Sequence, residues 1–126
     1  MSVKSDRGKV GEDYVCDYLE KRGWKLLERN YRVKGGEIDI IAEKSDIIAF
    51  VEVKTRKFGS LSEGIEAVDA KKRRCVIKAA DRYLEDFPVS GKEVRFDAAA
   101  VTITTEEYPR VLEMKYYENA FDAFTL

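Results

Sequence analysis

Residues 35–56 read GGEIDIIAEKSDIIAFVEVKTR. Ile38, Ile40, Ile41, Ile47, Ile48, Phe50, Val51 and Val53 give the stretch the β-branched and aromatic density of two buried strands. Glu37, Asp39, Glu52 and Lys54 interrupt it, although charge in a buried sheet carries a desolvation penalty. Only a short polar link, Lys44, Ser45 and Asp46, joins the halves, too short for a crossover. An antiparallel hairpin with strands near 36–43 and 47–55 follows.

Strand side chains alternate between faces. Alternation groups Glu37, Asp39 and Ile41 on one face of the first strand, against Ile38, Ile40 and Ala42. In the second it groups Phe50, Glu52 and Lys54 against Val51 and Val53. A two-residue turn at Ser45 and Asp46 sets Asp39 opposite Glu52, whereas a slip of one residue would separate them. Such a turn usually uses glycine, which is missing here.

Two carboxylates about 4 Å apart at an effective dielectric of about 20 repel by about 4 kcal/mol. Compensation can come from protonation of one acid, from Lys54, or from a hard divalent cation such as Mg²⁺, which takes oxygen ligands. With an adjacent lysine, an Asp39/Glu52 pair is a constellation suited to metal-assisted phosphodiester hydrolysis. The plainer alternative is a sheet surface with cross-strand ion pairs from Asp39 or Glu52 to Lys54 or Arg56.

Upstream, Val10, Tyr14, Val15, Tyr18 and Leu19 recur at helical spacing between Asp6 and Arg22, with Ser5 or Asp6 as N-cap and Gly23 as the stop. Glu12 precedes Val15, Cys16 and Leu19 by three, four and seven positions. It either points over the hairpin or sits at the boundary with its carboxylate in water. Residues 24–33 read as a strand running into the Gly35-Gly36 turn. Asp69 is placed to cap a long helix with the stripe Val76, Ala80, Tyr83, Leu84 and Phe87, ended by Pro88 and Gly91. Strands follow at 93–104 and 110–117, then a helical turn at 119–124. On the first of these, Asp97 stands two positions after Arg95, the spacing of a structural ion pair. The order α-β-β-β-α-β-β predicts an α/β domain over residues 1–126, a central mixed sheet flanked by helices.

Composition narrows the chemistry. Histidine is absent, which removes Ser-His, Cys-His and His-metal arrangements. Cys16 and Cys75 lie in helical patterns and read as small apolar residues rather than a disulfide or zinc pair. No apolar run spans a bilayer and the start lacks the apolar stretch of a secretory signal, so a cytoplasmic location is expected. The formal net charge is −1, so any nucleic-acid affinity rests on local clusters: Lys54, Arg56 and Lys57, or Lys71, Lys72, Arg73 and Arg74. Such runs are otherwise a solvated helix face.

Gly36-Glu37-Ile38-Asp39 followed by Phe50-Val51-Glu52-Val53-Lys54-Thr55-Arg56 resembles the D…(D/E)-x-K signature of the restriction-endonuclease-like superfamily. With Gly11-Glu12, Arg29-Asn30-Tyr31, Lys71, Arg95-Phe96-Asp97 and Ala120-Phe121, nearly the whole chain resembles the YraN-like family of predicted endonucleases, itself similar to archaeal Holliday junction resolvases. Ile38 stands where the superfamily often has proline. The resemblance implies a restriction-endonuclease-like fold and Mg²⁺- or Mn²⁺-dependent cleavage of DNA, branched or otherwise structured DNA included. It implies Asp39 and Glu52 as metal ligands, the Val53 carbonyl as a further ligand, Lys54 as the catalytic lysine and Glu12 as the helix-borne acid. Arg56, Lys57, Lys71, Lys72 and Arg73 become candidate phosphate contacts, and a symmetric homodimer is the arrangement of the resolvases. The competing reading is a noncatalytic nucleic-acid-binding or adaptor module of the same fold.

Overall fold

A computed structural model describes residues 6–60 and 70–121. Helix α1, Asp6–Lys21, precedes strands β1, Lys25–Val33, β2, Gly36–Lys44, and β3, Ile47–Lys57; helix α2 is described over Ala70–Asp86, and β4, Glu93–Ile103, and β5, Val111–Phe121, follow. The five strands form one sheet in chain order. Only β3 and β4 pair in parallel, and α2 lies in the connection between them, while the remaining pairs are antiparallel. This is the α/β architecture and element order expected from the sequence.

Each helix covers one face of the sheet, because each carries one apolar stripe. Val15, Cys16 and Leu19 of α1 pack with Ile40, Ala42, Ala49, Val51, Ala99, Val101 and Ile103. Val76, Ala79, Ala80 and Tyr83 of α2 pack with Ile38, Ile41, Ile48, Phe50, Phe96 and Phe121 on the other face. Tyr14 and Phe87, expected in these stripes, are exposed instead. Gly23 ends α1 with φ of 89°. Its N–H donates to the Glu20 carbonyl and that of Trp24 to the Leu19 carbonyl, the paired bonds of a Schellman cap.

The β2/β3 ladder runs from Lys44↔Ile47 to Ile40↔Val51. That is the expected register, closed without glycine because Ser45 takes the left-handed conformation itself, with φ of 52°. Simple alternation fails at one point: Ile38 joins Ile41 on the α2 face, whereas Ile40 joins Ala42 on the α1 face. The switch falls at Asp39. Across the β1/β2 ladder, between Arg29↔Ile40 and Tyr31↔Ile38, stands Asn30 with φ of 53°, a local departure from extended backbone that re-aims the side chains on either side of it.

Asp97, fully buried, takes both Arg95 Nε and Nη2 at 2.9 Å, the Tyr116 hydroxyl at 2.7 Å and the Asn119 N–H at 2.9 Å. The Arg95 pairing is the structural ion pair expected on β4. The bond to Asn119, whose φ is 54°, coincides with a register shift, so β5 bulges and continues as a strand to Phe121. The helical turn expected from residue 119 is therefore replaced by strand to 121. Residues 122–124, like the Ser5 and Asp69 cap candidates, lie outside the described residues.

Gly36 packs against α2 so tightly that a Cβ there would sit 2.5 Å from the Cys75 carbonyl oxygen and 3.0 Å from the Ala79 nitrogen. Gly36→Ala is expected to cost about 1–3 kcal/mol in a denaturant titration, since helix backbone must shift. Cys16 is buried and Cys75 half-buried, and neither is disulfide-bonded. Burial pushes the Cys16 thiol from its ordinary 9.0 up to about 11. A thiol reagent at about pH 8 should modify Cys75 and leave Cys16 unmodified until the chain unfolds. Because the unfolded chain loses the Cys16 proton first, stability should fall as pH rises from 9.0 to about 11.

Candidate functional site

Where the ladder stops, one step beyond Ile40↔Val51, β2 presents Asp39 and β3 presents Glu52. Both are buried, at 4% and 2% exposure. In place of a further backbone pair, the Val53 N–H donates to Asp39 Oδ2 at 2.8 Å. In an extended strand the N–H and C=O of one residue point to the same side, so the Val53 carbonyl faces the side from which Asp39 approaches. The two oxygens of Glu52 are each buried from solvent.

The α2 face contributes a cation. Lys72 Nζ lies 3.2 Å from Glu37 Oε1 and 3.6 Å from Glu52 Oε2. Burial opposes its charge, but Glu52, Asp39 and Glu37 outweigh that and hold its pKa above the ordinary lysine value. Lys72, expected among the phosphate contacts, is thus turned toward the acid pair. Glu37 also pairs with Arg32 at 3.4 Å, tying the start of β2 to β1.

Glu12 arrives from the opposite face. It is 2% exposed, so the solvent-facing alternative does not hold. Asn30 Nδ2 donates to its Oε1 at 3.2 Å and Arg29 Nη2 lies 3.5 Å from the same oxygen. Arg29 reaches Asp13 as well, at 2.8 Å. Asn30 is therefore both the neighbour of Asp39 across the β1/β2 ladder and a donor to Glu12. The sequence assigns Arg29 and Asn30 no individual task; the available signal was the polar run Glu28-Arg29-Asn30 between Leu27 and Tyr31. Gly11, beside Glu12, lets α1 approach β3 closely, since a side chain there would collide with Thr55.

Lys54 is exposed at the end of this constellation. With Arg7, Gly8, Glu12, Val53, Thr55, Arg56, Lys57, Ser60 and Ile103 it lines a cavity of about 450 Å³. Arg56 Nε donates to Thr102 Oγ1 at 3.4 Å, Lys57 and Lys71 are exposed, and Arg73 lies over the Phe121 ring at 5.8 Å. None of the α2 basic residues lines that cavity.

Among the described residues, no group of three or more His, Cys, Asp or Glu side chains is disposed to hold a metal. The oxygens that Asp39, Glu52 and the Val53 carbonyl offer at the end of the ladder are all hard donors. They fit Mg²⁺ or Mn²⁺, since Mg²⁺ commonly takes one or two carboxylates and completes its shell with water and substrate phosphate.

Fold and site together define a mixed α/β protein with an acid pair at the break between two antiparallel strands. The family model described as "Uncharacterised protein family UPF0102" matches residues 11–101, and the chain belongs to that family. A UPF0102 protein of Dictyoglomus thermophilum is 41% identical over 114 residues, 90% of this chain and 95% of the relative. One from Alkaliphilus metalliredigens is 44% identical over 114 residues, 90% and 96% of the two chains. One from Chlorobium phaeobacteroides (strain BS1) is 36% identical over 121 residues, 94% and 96%. No helix among the described residues is long and apolar enough to cross a membrane.

Lys72→Met removes the cation nearest Glu52 while keeping the aliphatic stem. Lys72 is partly exposed, so the cost should be modest, about 1–2 kcal/mol in a denaturant titration with chelator present. Adding Glu52→Gln should recover most of that loss, giving a favourable Lys72–Glu52 coupling in the double-mutant cycle. Strict additivity would show that the two side chains do not sense each other.

Proposed function

We propose that this protein is a Mg²⁺- or Mn²⁺-dependent endonuclease that hydrolyses phosphodiester bonds in DNA, with branched or otherwise structured DNA as the preferred class. The observation that carries the reading is the buried Asp39/Glu52 pair at the end of the β2/β3 ladder, with the Val53 N–H on Asp39 and the Val53 carbonyl facing the same side.

Asp39, Glu52 and the Val53 carbonyl are the residues that would hold the ion. Bound there, it would lower the pKa of a water and offset charge developing on the phosphate. Asp39 is oriented by the Val53 amide, so its second oxygen is directed by the backbone rather than by a mobile side chain. Glu52 is screened by Lys72 while the site awaits substrate. Lys54, exposed beside Val53, would orient the nucleophilic water and steady negative charge on the phosphate. Glu12 acts as a positioning residue: it holds Arg29 and Asn30, and through Asn30 the strand segment opposite Asp39.

A noncatalytic adaptor is the second reading, and one contact favours it. Lys72, 3.6 Å from Glu52, already supplies positive charge of the kind a cation would bring. Metal affinity separates the two, since an adaptor needs no Mn²⁺ binding that depends on Asp39 and Glu52.

The decisive assay is a cleavage panel of linear, single-stranded, flapped and four-way DNA in Mn²⁺, run beside Asp39→Ala and Glu52→Ala. The parent should cut at least one substrate, and either variant should lose cleavage while keeping the parent's circular dichroism. Each should also weaken Mn²⁺ binding at least about tenfold by calorimetry. Undiminished cutting by either variant in a clean preparation would overturn the assignment.

A further inference from the structure

The cavity beside Lys54 has a charge balance that the acid pair does not explain. Four cationic residues, Arg7, Lys54, Arg56 and Lys57, line it with a single acidic one, Glu12, the Arg56 guanidinium reaching across to Thr102. The Glu12 carboxylate has its own positive neighbour in Arg29 and its own donor in Asn30, so it subtracts little from the potential of the cavity. A concave surface with one sign of charge concentrates ligands of the other. The thin side-chain cover at Gly8 and the hydroxyls of Thr55 and Ser60 add polar groups along the same wall. At about 450 Å³ the cavity is of small-ligand size, with room for a nucleotide unit of a chain.

The α2 run compares poorly as an anion surface. Lys72 is committed to Glu37 and Glu52, and Arg73 lies over Phe121. Sequence alone weighted the two basic clusters alike, whereas the fold gathers only the β3 cluster, with Arg7 of α1, around one cavity.

We infer that this cavity, between the first turns of α1 and the end of β3, seats the nucleic-acid sugar-phosphate backbone, with Arg7 and Lys57 as contacts to the phosphate next to the one beside Lys54. The assignment of that neighbouring phosphate as the reacting one rests on the proposed function; binding of the backbone in the cavity does not. The strand path then follows the α1 side of β3 rather than the exposed face of α2.

The test is fluorescence anisotropy with a fluorescein-labelled single-stranded DNA oligonucleotide in EDTA, where cleavage plays no part. Arg7→Glu and Lys57→Glu, both at exposed positions, should each weaken binding about tenfold. Each should reduce the salt dependence of log K by about one phosphate contact. Arg74→Glu makes the same charge change on exposed α2 surface and should alter affinity by less than about twofold. Thermal midpoints equal to the parent's establish that the variants are folded. Parent-like binding by Arg7→Glu and Lys57→Glu, or an equal loss in Arg74→Glu, overturns the inference. A parent that cuts no DNA in Mn²⁺ but binds the oligonucleotide through Arg7 would remove the nuclease reading and leave this one standing.

Discussion

Everything at the site depends on where the β2/β3 ladder ends. The pairing Ile40↔Val51 makes Asp39 and Glu52 the next residues in register, and the backbone then parts so that a side chain, Asp39, takes the Val53 N–H. A one-residue slip would send the acids to opposite faces and mismatch the residues of the α1 core with those of the α2 core across the hairpin. Hydrophobic burial over the rest of the hairpin therefore sets the two acids at facing register positions, where carboxylates about 4 Å apart at an effective dielectric of about 20 would repel by about 4 kcal/mol. Lys72 reduces that cost from the α2 side. The arrangement is the kind in which a site is built on rigid strands against local stability.

The sheet works as a partition between two unlike surroundings. On the α1 side, Glu12, Arg29 and Asn30 form a polar cluster at the edge of the Val15/Leu19 core. On the α2 side, Lys72 and Glu37 stand at the edge of the Phe50/Tyr83 core. Asp39 is where β2 exchanges one face for the other, so it is accessible to influence from both. Far along β4, the Asp97, Arg95 and Tyr116 network performs a different task with the same residue types. There the carboxylate has four donor contacts from protein, and it shapes β5; burial and the nearby Asp97 charge hold the Tyr116 phenol far above the ordinary tyrosine range. Among the described residues the buried acids are thus Asp97 with its four protein donor contacts, Glu12 held by Asn30 and Arg29, and Asp39 and Glu52 at the end of the β2/β3 ladder.

Much of this is legible in the sequence. Helical spacing of apolar residues located both helices, β-branched and aromatic density between turn signals located the strands, and the hairpin register followed from a two-residue turn at Ser45 and Asp46. The face switch at Asp39 was not legible, because strict alternation treats every strand residue as extended and Asn30 departs from that. Nor was the direction of Lys72: a run of four basic residues on a helix does not say which of them faces the sheet until the helix is docked. The extension of β5 to Phe121 was hidden for a tertiary reason, since Asp97 stabilises the bulge at Asn119 from another strand. Tyr14 and Phe87 show the usual limit of helical periodicity, which defines a stripe more widely than the partner surface covers.

The proposed function requires that Asp39 and Glu52, brought next to each other by the β2/β3 register, take up one divalent cation between them. Anomalous diffraction from a crystal grown in Mn²⁺ addresses it directly. The account predicts a manganese peak shared by both carboxylates and the Val53 carbonyl, with Lys72 displaced from Glu52. A map with no peak there, and with Lys72 still on Glu52, would contradict it.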